Sequence, residues 1–219
     1  MPRKTTKENT TTSLRVLLSG FEPFAGSRIN PSCEVLDRLR AAPPSGIAIF
    51  PVVLPVVGFD AIKRLLAAMR RTLPDAVVLL GESGLASGIV LERVAINLRD
   101  YRIPDNAGVQ VRDSPVVRGG PAAYFSTLPV RRLVAACRAA GVPAELSLSA
   151  GSFLCNEVMY AALHATVTRG PTVPTGFIHL PQLPEQASSG EKTRPTMALD
   201  VAVKGVTGIL LALADRATR

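Results

Sequence analysis

Residues 146–164 read LSLSAGSFLCNEVMYAALH, and a change of rhythm inside them sets the fold. Residues 144–149 alternate small and apolar side chains as a strand does, and Ala150, Gly151 and Ser152 then punctuate the run. Beyond them Val158, Met159, Ala162 and Leu163 recur at helical spacing. A buried strand, a turn and a helix are therefore expected, with Cys155 at or just inside the first turn of the helix. The unpaired N–H groups and positive dipole end at such a position favour a thiolate over a thiol, and they can hold a developing oxyanion. A small apolar thiol packed beneath a sheet is the other reading of the same pattern.

Upstream of this stretch, strand and helix patterns alternate. LRVLLSG from Leu14 reads as a buried strand ending at Gly20, followed by a loop in which Phe21 and Phe24 stand beside Pro23, Gly26, Asn30 and Pro31. Those rings either cap the sheet end or line a ligand pocket. A helix over 32–41 with Ser32 as its N-cap follows, then a β-branched run over 47–57 that Pro51 and Pro55 confine to the sheet edge. An amphipathic helix over 59–73 leads to the clearest buried strand, 75–80, which ends in Gly81, Glu82, Ser83 and Gly84. Crossover helices return the chain each time, so this loop should open at the same end of a parallel sheet as the Gly20 loop. In 89–97, IVLERVAIN, Glu92 sits among apolar neighbours. A buried carboxylate needs a partner, here either Arg93, another structural group or a functional one. Thr127 is the expected cap of a helix reaching about residue 140.

Downstream, GFIHL at 176–180 is a short strand carrying His179 at its end and stopped by Pro181 and Pro184, whereas His164 falls near a helix C-terminus. Residues 186–195 read as a polar loop, and Thr196 is placed to cap a final helix over 197–217. The alternation predicts a single-domain α/β/α sandwich with a central, mostly parallel twisted sheet over residues 14–219, its sites beyond the carboxyl ends of the strands. Residues 1–13 are expected to be a disordered, solvated tail rather than a secretory leader, since no apolar core follows their basic residues.

Composition narrows the function. The formal net charge is +8, yet the basic residues of the body are dispersed in pairs such as Arg70 with Arg71, and aromatics at 5% do not interleave with them. No nucleic-acid platform is read from this, and no membrane span, because the apolar runs fall far short of the ~18 residues a membrane helix needs. Cys33, Cys137 and Cys155 are odd in number and far apart, which suits reduced thiols in a cytoplasmic protein. Two histidines and no CxxC leave no zinc pattern.

Glu92, Cys155 and His179 supply an orienting carboxylate, a nucleophile and a base, the logic of the acyl-transfer triad with sulfur as nucleophile. GFEPFAG at 20–26 with Asn30 and Pro31, ERVAIN at 92–97, RIPDN at 102–106, GGPAAYFSTLP at 119–129, SAGSFLCNEVMY at 149–160 and GFIHLPQLPEQ at 176–186 together resemble the pyroglutamyl peptidase I family, also called pyrrolidone-carboxylate peptidases. The resemblance covers residues 15–215. It implies an α/β/α fold and a cytosolic cysteine peptidase that removes an N-terminal pyroglutamyl residue from peptides without a cofactor, in a homotetramer or homodimer. It also implies Cys155 as nucleophile, His179 as base, Glu92 as acid, Arg102 as an aid to the oxyanion, and Phe21, Phe24 and Phe153 around the lactam.

Two departures stand out. The loop after residue 80 reads GESGLAS, so Glu82 occupies the place of a ring-binding glutamine and Ala86 that of an arginine, while Val90 replaces a serine or threonine. A carboxylate accepts but cannot donate, so a hydrogen bond to the lactam carbonyl would become repulsion if Glu82 faced the substrate. If Glu82 faces solvent instead, backbone groups hold the ring. The alternatives that follow are a related cysteine hydrolase acting on another amide, and a catalytically idle relative that binds a small ligand.

Overall fold

The computed structural model describes residues 13–168, 173–187 and 194–217. The tail expected over 1–13 thus lies, apart from Ser13, outside the described residues. The elements run β1 (Leu14–Phe21), α1 (Pro31–Ala41), β2 (Ile47–Leu54), α2 (Gly58–Thr72), β3 (Ala76–Glu82), β4 (Ile89–Glu92), β5 (Val94–Ile96), β6 (Ala123–Phe125), α3 (Val130–Ala139), β7 (Ala144–Ser147), α4 (Leu154–Val167), β8 (Thr175–Leu180), α5 (Pro184–Ala187) and α6 (Leu199–Ala217). Six strands form one sheet in the order β2-β1-β3-β8-β4-β7. The strands β2, β1, β3 and β8 are parallel to one another, while β4 lies antiparallel to β8 and parallel to β7.

Side-chain alternation assigns the two faces. Leu14, Val16 and Leu18 of β1, Val78 and Leu80 of β3 and Ile178 and Leu180 of β8 bury against α1, α3 and α6. Leu17 and Phe21, Val77 and Leu79, and Phe177 bury against α2 and α4. The period of two in each strand therefore sends every second residue to the same helical layer, and the sandwich follows from apolar residues at both parities. Each large aliphatic side chain removed from water contributes about 1.5–3 kcal/mol, so neither face is dispensable. The helix α4 is buried nearly all round, from Asn156 to Leu163 without interruption, because the small antiparallel pair β5–β6 and α2 cover the side it turns away from the sheet.

Several local expectations are corrected. Asn30, not Ser32, caps α1, accepting from the Ser32 N–H at 3.1 Å with Pro31 at the first helical position; the Ser32 hydroxyl accepts from Phe21 N–H instead. Thr127 does not cap α3, since its hydroxyl is engaged with the backbone of Val173 and Thr175. The apolar run over 89–97 breaks at Arg93, where the chain leaves the main sheet and β5 pairs with β6. The strand before the cysteine, β7, is an edge strand of partly exposed residues and not a buried one, because only β4 flanks it. It also runs antiparallel to β8, and the loop 148–153 turns the chain back to the start of α4, where Cys155 meets Gly81 and His179 at the carboxyl ends of β3 and β8. Thr196 joins Gln182 in an isolated bridge, and the last helix starts at Leu199. Among the described residues no helix is long and apolar enough to cross a membrane.

Candidate active site

The parity that builds the sheet also gathers the candidate side chains. His179 lies two residues after Phe177 on β8, and therefore on the face covered by α4. Glu92 shares that face, because Ile89 and Leu91 point to the opposite layer. In β4, Val90 stands opposite His179 in the antiparallel register, which sets the Glu92 side chain diagonally across from the imidazole. The His179 Nδ1 to Glu92 Oε1 distance is 2.8 Å, with side-chain exposures of 10% and 3%. A carboxylate can only accept, so Nδ1 carries the proton and Nε2 is left for another partner. Arg93, the structural alternative for Glu92, turns away to the Ser126 carbonyl and the Phe125 ring.

The helix α4 brings Cys155 to the same place. Phe153 is its N-cap in extended conformation without a side-chain cap bond, so the first-turn N–H groups remain available beside the sulfur. Cys155 is partly buried, and its sulfur interacts electrostatically with the His179 imidazole. Burial pushes the imidazole towards its neutral form, but the Cys155 sulfur and then the Glu92 carboxylate outweigh that effect and hold its pKa up at about 10, against an ordinary 6.5. The imidazole is thus held towards its charged form between the sulfur and the carboxylate. The other two thiols are held towards their neutral form. Burial drives Cys137 up to about 11, and burial with Asp37 and Glu34 raises Cys33.

Close approach at this point depends on a residue that sequence reading passed over as a mere turn signal. A Cβ on Gly81 would lie 2.5 Å from the Phe177 ring and 3.1 Å from Cys155 Sγ, so only glycine lets the sulfur settle against β3. A glycine at the end of an otherwise apolar strand is the signal that could have marked it. Phe177, whose ring lies 4.8 Å from that of His179, was also missed, because its spacing marks it simply as core.

The aromatic residues form a wall beside the sulfur-bearing turn. Phe153 packs 6.5 Å from Phe24 and receives the ring of Tyr101 edge-on at 4.8 Å. Phe21 is 3% exposed within β1 and belongs to the same apolar layer, whereas Phe24 is only partly buried. Arg102 is exposed, directly after the fully buried Tyr101. Glu22 joins the wall to its surroundings, since its Oε1 accepts from Val56 N–H at 2.9 Å and from the Asn106 amide at 3.0 Å. Two motifs far apart in sequence, GFEPFAG and RIPDN, therefore hold one another.

Glu82 is tied to the segment that follows β8. It is partly buried, and both of its oxygens are engaged, Oε1 by the Gln182 amide at 2.7 Å and Oε2 by the Gln186 amide at 2.9 Å. Ala86 is buried, and Val90 lies in the strand facing His179. Among the described residues no group of three or more His, Cys, Asp or Glu is arranged to hold a metal ion.

Comparison with known proteins gives a consistent likeness over the same span. A family model described as pyroglutamyl peptidase matches residues 14–215. A pyrrolidone-carboxylate peptidase of Streptomyces coelicolor is 46% identical over 200 residues, covering 91% of this chain and 92% of the relative, and one of Gloeobacter violaceus is 48% identical over 90% and 95%. Among solved structures, pyroglutamyl peptidase I of Bacillus amyloliquefaciens superposes with a TM-score of 0.88 at 37% identity, covering 93% of this chain and 98% of that one. A mutant pyrrolidone carboxyl peptidase of Pyrococcus furiosus gives 0.89 at 37% identity over 93% and 100%.

Proposed function

This chain belongs to the pyroglutamyl peptidase family, and from that premise we propose that it cleaves the amide bond following an N-terminal pyroglutamyl residue by a thioester route through Cys155. The observation that carries the reading is the buried Glu92–His179 pair lying against the cysteine at the start of α4.

In the proposed course the Cys155 thiolate attacks the pyroglutamyl carbonyl carbon, and the oxyanion that forms is held by the free N–H groups of the first turn of α4, with Arg102 in support. His179, held as imidazolium by its two neighbours, gives its proton to the leaving amine as the C–N bond breaks. A thioester and a shortened peptide result. The imidazole, now neutral, takes a proton from water, hydroxide adds to the thioester carbon, and collapse expels the thiolate and frees pyroglutamate. Glu92 keeps the ring oriented with Nδ1 protonated and compensates its charge. Phe21, Phe24 and Phe153 offer the small, uncharged lactam an apolar slot that gives an open-chain ammonium no pairing. A reducing cytoplasm suits three free cysteines, and self-association is part of the same proposal.

The test is turnover of a chromogenic pyroglutamyl amide by the intact chain and by Cys155→Ala. Turnover in the parent with none in the variant is the expected result, together with iodoacetamide capture at Cys155 before Cys33 or Cys137. Substantial activity in Cys155→Ala would overturn the mechanism, and a parent that cleaves no pyroglutamyl amide would overturn the substrate.

A further inference from the structure

We propose that Glu82 is a positioning residue that locks three loops around the pocket and thereby sets how tightly the lactam is held. This inference rests on the pyroglutamyl reading of the site. The supporting geometry is a pair of amides converging on one carboxylate. Gln182 Nε2 donates to Oε1 at 2.7 Å and Gln186 Nε2 to Oε2 at 2.9 Å, and both glutamines belong to the segment that follows His179. The amide of Gln186 cannot be turned the other way, because its Oε1 accepts from Leu183 N–H at 2.9 Å, which fixes the NH₂ towards Glu82. The same NH₂ lies 3.2 Å from the Ser27 hydroxyl and 3.4 Å from the Ile29 carbonyl. Ser27 N–H in turn donates to the Phe24 carbonyl at 3.0 Å. A continuous run of hydrogen bonds therefore leads from the end of β3, through the segment after β8, to the loop that presents Phe24.

Position 82 asks for a carboxylate in this arrangement. A glutamate accepts two NH₂ groups at once, whereas a glutamine there would accept one and push its own NH₂ against the other. Charge-assisted bonds are also the stronger kind, so the segment is tied more firmly than neutral amides would tie it. It follows that Glu82 is committed to the protein and does not bind or repel the lactam directly. The departure of this loop from the family pattern becomes a reorganised loop anchor, with Gln182 and Gln186 as the residues it serves.

An exchange of donor and acceptor tests this without removing the bonds. Glu82→Gln loses one of the two bonds, and Gln182→Glu sets two carboxylates face to face. In the double variant Glu82→Gln with Gln182→Glu, the new amide donates to residue 182 and its carbonyl accepts from Gln186, so both bonds return. We expect the KM for a pyroglutamyl amide to rise about fivefold to tenfold in each single variant, and to fall in the double variant to within about twofold of the parent. Hydrogen exchange of residues 22–29 should quicken in the single variants and slow again in the double one. Additive effects in the double variant, unchanged exchange in both singles, or a KM that falls in Glu82→Gln would each overturn the proposal. A parent protein that cleaves no pyroglutamyl amide would strike the functional reading alone, and the exchange pattern would still decide whether Glu82 anchors the loops.

Discussion

Glu92 and Glu157 are 2% and 0% exposed, and each has one oxygen bonded and the other without a hydrogen-bond partner among the described residues. Their cations differ in kind. Glu92 faces His179, which can release its proton, whereas Glu157 faces Arg99, with Nε to Oε2 at 2.8 Å, and also accepts a hydrogen bond from the Tyr101 hydroxyl. Burial lowers the pKa of the Arg99 guanidinium, but Glu157 and Tyr101 outweigh this and keep it above its ordinary value. Tyr101 is pushed up by burial and then by Glu157, so its proton stays in place. The guanidinium also lies 4.0 Å over the Phe59 ring at the start of α2. The proton on His179 can leave within a pH range that the Arg99 guanidinium withstands, so equal burial fits the proton transfer proposed for one pair and a fixed joint in the other.

The largest expected effect comes from breaking the fixed joint. Glu157→Leu leaves the Arg99 charge buried and unpaired, which costs about 3–5 kcal/mol and should lower the melting temperature by roughly 10 °C in a chain of this size. Replacing both partners, Arg99→Met with Glu157→Leu, should recover most of that loss. Calorimetry on the two variants checks it. No recovery in the double variant would mean that Glu157 acts through something other than Arg99.

Next in size is the reactive pair. Glu92→Gln keeps the shape of the side chain but removes the charge that compensates His179, and kcat/KM should fall about 100-fold, equivalent to about 2.7 kcal/mol of barrier. Its melting temperature should move far less than that of Glu157→Leu. If stability drops sharply while kcat/KM holds, Glu92 is a joint like Glu157 and the contrast fails. A smaller change is expected for Tyr101→Phe, which keeps the ring against Phe153 and loses only the hydroxyl bond to a charged acceptor, about 1.5–3 kcal/mol by denaturant titration. A loss no larger than that of an exposed residue would show the hydroxyl bond to be worth little.

The two glutamates also differ in how visible they were. Glu92 showed itself in sequence because a carboxylate in the strand-like run IVLERVAIN has no exposed face to occupy. Glu157 was missed because a polar residue in a helix is ordinarily taken for its solvent side, and what meets it there is Arg99 and Tyr101, in an irregular segment that leaves no readable period. Sheet order was partly legible for a similar reason. Pro51 and Pro55 marked β2 as an edge, whereas nothing local in residues 144–147 told that β7 would be the other edge and run antiparallel to β8. Cys155 and His179 could be picked out by position and residue type, but Gly81, Gln182 and Gln186 matter only through neighbours distant in sequence.

The smallest effect sharpens the comparison through pH. The folded-state pKa of His179 is raised to about 10 from an ordinary 6.5, so the folded protein binds a proton that the unfolded chain gives up between those values. Stability from this group is therefore complete below about pH 6.5 and is lost as pH rises towards 10. The Arg99 pair adds no slope in that window, since its guanidinium is held above an already high ordinary value. Melting curves of the parent should fall across pH 6.5–10, and those of Glu92→Gln should fall less, because one of the charges that holds the imidazolium is gone. The variant Glu157→Gln should leave the slope unchanged while lowering the whole curve. Parallel curves for the parent and Glu92→Gln would mean that Glu92 does not hold the proton on His179, and the carboxylate would then act on the ring by orientation alone.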